Sequence, residues 1–68
     1  MTTAEKVQVL RDNIRSTVTL NRGGGEELQA YLTRVDGDGE DANCVFMDVL
    51  EGVERTLSVS QIEDVKSR

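Results

Sequence analysis

The chain has 68 residues, of which 13 are acidic and 8 basic, so its net charge at neutral pH is −5. It contains no histidine and a single cysteine, Cys44. General acid–base catalysis near neutral pH and most zinc or transition-metal sites draw on histidine or clustered cysteines. The composition therefore predicts a protein that is not an enzyme, has no cofactor and works by binding. Cys44 lies in an apolar run and is expected to be a small core residue.

The length predicts one domain, which we place at residues 1–68. A domain of this size buries only roughly 60% of its unfolded surface, and self-association often compensates, so a homo-oligomer is one expectation. No apolar run approaches the ~18 residues needed to cross a membrane. No signal peptide is visible, and one cysteine suits a reducing compartment. These features predict a cytoplasmic protein with no membrane partner.

A short helix is expected at the N-terminus. Thr2 and Glu5 have capping-box spacing, in which each side chain bonds the backbone N–H of the other residue. Val7 and Leu10 follow at helical spacing. We therefore predict a helix over about residues 3–12, with an apolar stripe that must dock on the rest of the fold.

After the helix, the apolar residues recur with the period of two that is typical of half-buried strands. Glycine-rich turns separate these runs, since glycine reaches positive φ without steric cost. The third run is apolar on both faces, which predicts a central strand covered on both sides. The expected strands cover about residues 14–20, 27–35, 42–50 and 53–59, with a short fifth strand near 62–65.

The order of elements predicts a mainly β fold. A short N-terminal helix precedes a meander of four or five antiparallel strands joined by tight turns. Closing such a meander into a strongly bent small barrel, of the Sm-like or SH3-like kind, would remove exposed strand edges. We therefore expect a small β-barrel.

Three segments carry a resemblance to a known family: 17–20, with the sequence TVTL, 25–30, with GEELQA, and 54–62, with ERTLSVSQI. They resemble a strand, a glycine–acid turn leading into a Leu-Gln-Ala-like strand, and a late strand ending in isoleucine in the Rho-binding antiterminator (Rof) family. The resemblance implies an Sm-like barrel that inhibits transcription termination factor Rho by covering its RNA-binding surface. The helix here carries only Glu5 and Asp12 where the family has an acidic stretch.

Acidic residues are the first candidate site. Eleven acidic and four basic residues lie in 25–68, whereas residues 1–24 hold two acidic and four basic ones. Such a surface suits a basic protein partner, with Rho as the partner that the resemblance implies. Alternate carboxylates in 36–41 also resemble the start of a calcium loop, but Asp41 and Met47 stand where that loop needs glycine and glutamate. A solvated hairpin tip is the third interpretation. The candidate partner-binding residues are Glu26, Glu27, Asp36, Asp38, Glu40 and Asp41.

A second set of residues would serve a different function. Arginines near strand ends, with an aromatic ring for stacking, could bind RNA or a small nucleotide in an Sm-like homo-oligomer. Ordinary surface charge is the alternative explanation. A third hypothesis is a phage or mobile-element protein that inhibits another host factor. The residues of the nucleic-acid alternative are Arg15, which we place on the outward face of the first strand, Arg22, Tyr31 and Arg55.

Overall fold

The computed structural model describes residues 2–67, and Met1 and Arg68 lie outside the described residues. The described residues form one α-helix, five β-strands and one turn of 3₁₀ helix. In chain order these are α1 (Thr3–Asp12), β1 (Thr17–Asn21), β2 (Glu27–Asp36), β3 (Asn43–Asp48), β4 (Val53–Ser58), the 3₁₀ helix (Val59–Gln61) and β5 (Asp64–Ser67).

The N-terminal helix is confirmed at its predicted position. Thr2 and Glu5 form the capping box: the Glu5 N–H donates to Thr2 Oγ1 at 3.2 Å, and the Thr2 N–H donates to Glu5 Oε1 at 3.0 Å. The bond from the Thr2 backbone lowers the pKa of the Glu5 carboxyl. Val7 and Leu10 are buried, so the predicted stripe faces the core. Within residues 2–67, no helix is long and apolar enough to cross a membrane.

The five strands form one antiparallel sheet in the order β4-β3-β2-β1-β5. The mainly β fold and the short fifth strand are therefore confirmed. Closure into a barrel is not confirmed, because within residues 2–67 β4 and β5 are the free edges of an open sheet. The chain leaves β4 through the 3₁₀ helix, where the Ser58 N–H donates to Gln61 Oε1 at 3.2 Å. This capping contact lies where β4 ends, at Ser58, and the 3₁₀ helix begins.

The first strand begins later than predicted. Ile14 and Arg15 lie in the turn after α1, where Arg15 adopts a φ of +72°. The Ser16 N–H donates to the Asn13 carbonyl at 2.9 Å, which closes that turn. The placement of Arg15 on the outward face of the first strand was therefore wrong.

The third strand ends earlier than predicted, at Asp48. The Asp48 carboxylate accepts the N–H groups of Leu50 and Glu51, at 3.0 and 3.2 Å, and these bonds start a turn. Leu50 is 82% exposed as a result. Met47, on the face of β3 away from the core, is 38% exposed, so the strand is not covered on both sides along its whole length.

The core lies on one face of the sheet. Phe46 is its largest fully buried side chain, and Cys44 is buried beside it in β3. Helix α1 packs on this face against β2, β5 and the 3₁₀ helix. The face next to β4 is left without a helix above it, and this gap becomes the cavity described below.

Candidate functional site

The six predicted acidic residues do not form one surface. Glu26 directly precedes β2, Glu27 begins it, and Asp36 ends this strand of 10 residues. The loop from β2 to β3, residues 37–42, then carries Asp38 and two further acids. Since β2 is extended, its first and last residues lie at opposite ends of the sheet. We call the group at the β2–β3 loop the loop end; its members are Asp36, Asp38, Glu40 and Asp41.

Arginines pair with half of the loop end. Arg11, in the last turn of α1, donates to Asp38 at 2.9 Å and to the Gly37 carbonyl at 2.8 Å. Arg34 donates to Asp36 at 2.9 Å. Exposed pairs of this kind add little stability, but they offset the local charge. The loop end is therefore less negative than its sequence indicates.

The other end of the sheet gathers more acidic residues than the sequence predicted. Asn21 is the partner of Glu27 on one side and of Asp64 on the other. The Glu63 N–H donates to the Asn21 carbonyl at 2.7 Å, which places Glu63 in the same corner. Glu51, in the β3–β4 turn, lines the same cavity as Glu26. We call this group the acidic end; its members are Glu26, Glu27, Glu51, Glu63 and Asp64.

In the part of the chain that the structure describes, most of the acidic end is free of ion pairs. Glu26 is 3.7 Å from Arg22, a long and exposed contact. Within residues 2–67, Glu27, Glu51 and Glu63 make no ion pair. Glu51, Glu63 and Asp64 could not be predicted from the sequence, because only the pairing of the strands brings them to the same end of the sheet as Glu27.

A cavity of about 360 Å³ opens beside the acidic end. Arg55 lies opposite Phe46 and Leu57 lies opposite Cys44, so both face the core side of the sheet. Helix α1 does not cover this part of the face, which leaves the space open. The residues lining the cavity are Arg22, Glu26, Leu28, Asp48, Glu51, Arg55, Thr56 and Leu57.

Asp48 organises one wall of the cavity. It is 3% exposed, and besides its two turn bonds it accepts a hydrogen bond from Arg55 Nε at 3.1 Å. The N–H of Glu51 is the largest influence that lowers the pKa of the Asp48 carboxyl; the Leu50 N–H and Arg55 act in the same direction. Asp48 thus stays ionised and holds Arg55 against the cavity wall.

The residues of the nucleic-acid alternative are only partly brought together. Arg22 and Arg55 line the same cavity. Tyr31 lies between buried Ala30 and Leu32 in β2, so its ring points to the opposite face of the sheet, where it pairs with Met47. Arg15 lies in the turn before β1. No common surface holds all four residues.

Within residues 2–67, no group of three or more histidine, cysteine, aspartate or glutamate side chains is placed to hold a metal ion. Cys44 is buried, and burial raises the pKa of its thiol to about 11. A thiolate is the nucleophilic form of cysteine, so this environment does not activate Cys44.

Comparison of the chain with protein-family models, with curated proteins and with solved structures finds no match.

Proposed function

We propose that this chain is a non-enzymatic regulatory protein that binds a basic protein partner through the acidic end. The observation that carries the proposal is that five carboxylates from three separate segments lie at the same end of the sheet. Among residues 2–67, Glu26 is the member of this group that has an arginine within ion-pair distance. Unpaired like charges attract an oppositely charged surface and speed its encounter.

Termination factor Rho is the specific partner to test, because of the resemblance to the Rho-binding antiterminator family. An acidic corner would compete with RNA for a basic RNA-binding surface, since both present closely spaced negative charges. The resemblance also suggests an Sm-like arrangement of the five strands. The strand order and the 3₁₀ helix between the last two strands are compatible with that suggestion.

The test is a pair of charge reversals with the same change in net charge. Glu26→Lys with Glu27→Lys alters the acidic end, and Glu40→Lys with Asp41→Lys alters the loop end. All four residues are exposed, so both variants should stay folded. Binding to purified Rho is measured by fluorescence anisotropy over a range of salt concentrations. We expect the first variant to lose binding and the salt dependence that goes with it, and the second to bind almost as the wild type does.

Equal losses in both variants would mean that only net charge matters, and unchanged binding in the first would contradict the proposal. The same assay with an RNA oligonucleotide examines the nucleic-acid alternative. Since Arg15 and Tyr31 lie away from the cavity, we expect no RNA binding. Native mass spectrometry gives the oligomeric state, and a ring-sized mass carrying RNA would favour the homo-oligomer instead.

A further inference from the structure

We propose that the free edge of β4 accepts an extended segment of a protein partner, and that a lysine or arginine of this segment enters the adjacent cavity. This inference rests on the proposed function, because it names where a basic partner would bind. It joins two features that the acidic end alone does not explain. One is the unpaired strand edge, and the other is the mixed apolar and acidic cavity beside it.

Of the two sheet edges, β4 is the more open. Strand β5 has four residues, and helix α1 packs against it. Strand β4 has six residues, of which the four in Val53–Thr56 are exposed. Edge strands are commonly protected by lysine, proline, a bulge or a charged side chain that points inward. Strand β4 contains neither lysine nor proline, and its register with β3 is unbroken. Its inward-pointing charge, Arg55, is already paired with Asp48 at 3.1 Å.

The cavity lies where the side chains of an added strand would point. Side chains directly opposite one another in neighbouring strands share a face of the sheet. A segment paired with β4 would therefore place every second side chain on the core face, next to Arg55 and Leu57. Recognition by strand addition works in this way: the main chain supplies affinity, and pockets for alternate side chains supply specificity.

The cavity lining matches a long basic side chain. Leu28 and Leu57 provide apolar surface for an aliphatic stem. The cavity lining has three carboxylates and two guanidinium groups. Each guanidinium already pairs with a carboxylate: Arg55 lies 3.1 Å from Asp48. Arg22 lies 3.7 Å from Glu26. Glu51 is the remaining carboxylate, and it has no ion pair within residues 2–67. It is the group that would meet an incoming ammonium or guanidinium.

The experiment uses the full chain labelled with ¹⁵N and a synthetic probe, the acetylated and amidated peptide Thr-Val-Thr-Lys-Thr-Val-Thr. Amide chemical shifts are followed during titration to millimolar peptide, because a single short strand binds weakly. We expect shifts in β4, in the β3–β4 turn and at Leu28. Replacing the peptide lysine with norleucine, which keeps the stem and removes the charge, should weaken binding roughly two- to fivefold.

Two N-methylated peptides test the strand pairing without changing the protein. Each carries methyl groups on one of the two sets of alternate backbone nitrogens. In a paired strand only one set of N–H groups faces the neighbouring strand. One methylated peptide should therefore lose binding, and the other should keep it. Equal behaviour of the two peptides would overturn strand addition.

A protein variant tests the pocket. Glu51→Gln should weaken binding of the lysine peptide by the same factor as the replacement of lysine with norleucine does. It should leave binding of the norleucine peptide unchanged. Glu40→Gln, at the loop end, is the matched control and should change neither. The proposal is wrong if the peptide shifts nothing at millimolar concentration or shifts only α1 and the loop end. It is also wrong if β4 signals depend on protein concentration alone, which would assign the edge to a second copy of the chain.

Failure of this proposal can be told apart from failure of the proposed function. If Rho binding depends on Glu26 and Glu27 while Glu51→Gln and the methylated peptides have no effect, the acidic end acts without β4. If the lysine peptide binds as expected and Rho does not, the edge is a peptide site and the partner is a different basic protein.

Discussion

The buried carboxylate of Asp48 accepts a hydrogen bond from Nε of the half-exposed Arg55 at 3.1 Å. The same carboxylate holds the β3–β4 turn through the N–H groups of Leu50 and Glu51. One side chain thus sets the turn that carries Glu51 and the orientation of Arg55 in the cavity wall. Stability and the candidate site are coupled through this residue.

The first prediction concerns Asp48 and pH. Its pKa is lowered in the folded protein, chiefly by the Glu51 N–H, so the unfolded chain binds the proton more tightly. The resulting stabilisation is fully present above the unfolded pKa, near 3.8, and is lost as the pH falls through the lower folded value. Asp48→Asn should therefore be less stable than the wild type at neutral pH.

Urea unfolding at a series of pH values checks this prediction. The difference in unfolding free energy between wild type and Asp48→Asn should shrink as the solution becomes more acidic than the unfolded pKa. Asp41→Asn, at an exposed position, serves as the control and should follow the wild type throughout. A difference that is constant across the whole pH range would show that Asp48 acts by shape alone.

The second prediction compares two turn glycines. Gly37 has a φ of +88°, and a Cβ there would lie 3.0 Å from the buried Ala42 Cα. Gly24 has a φ of +61°, and a Cβ there would meet nothing within 4 Å. Gly24→Ala should cost only the left-handed penalty of about 1–2 kcal/mol. Gly37→Ala should cost more, because backbone atoms must also move. Unfolding free energies that are equal for the two variants would contradict the close approach at Gly37.

The third prediction concerns Cys44. Burial blocks access to the thiol and raises its pKa to about 11, so little thiolate forms in mildly alkaline solution. A thiol reagent should label Cys44 only when the chain unfolds, and the labelling rate should rise with urea. Cys44→Ala combined with Ser60→Cys, at an exposed position, provides a reference that should react at once. Immediate labelling of the native wild type would disprove the buried placement.

The fourth prediction concerns the core. Phe46 is fully buried, and Phe46→Ala typically costs about 3–5 kcal/mol at such a position. A chain of this length has a total stability of only about 3–10 kcal/mol, so the variant should lose a large share of it and unfold at a much lower temperature than the wild type. Met47→Ala, one residue further along the strand and partly exposed, should remain folded. Circular dichroism of the two variants distinguishes these outcomes.

Several parts of the fold could be predicted because their causes are local. The capping box of Thr2 and Glu5 needs only residues three apart, and the helix begins where it predicts. The glycines of the turns separate strands at nearly the expected positions. The predicted strand boundaries were wrong where a residue outside the alternating pattern ends a strand or delays its start. Asp48 ends β3 before the apolar Val49 and Leu50, and the turn at Arg15 delays β1.

The candidate site was less predictable from the sequence. Six acidic residues looked like one surface because they are close in sequence, yet β2 carries them to opposite ends. Glu51, Glu63 and Asp64 are distant in sequence from Glu26 and Glu27, and only the pairing of the strands brings all five to the same end of the sheet. Arg11, in the helix, pairs with Asp38 and offsets its charge, and no spacing rule reveals this contact.

The sequence by itself determined the N-terminal helix and, through the alternation of apolar and polar residues, the strands. Its composition, without histidine, offers few groups for acid–base or metal chemistry. These features depend on residue type and on neighbours a few positions away. The tertiary structure decided which carboxylates share a corner, that the sheet stays open at β4, and that a cavity forms next to this edge. Those outcomes depend on which strands pair and on where the helix packs, and contacts between distant residues control both.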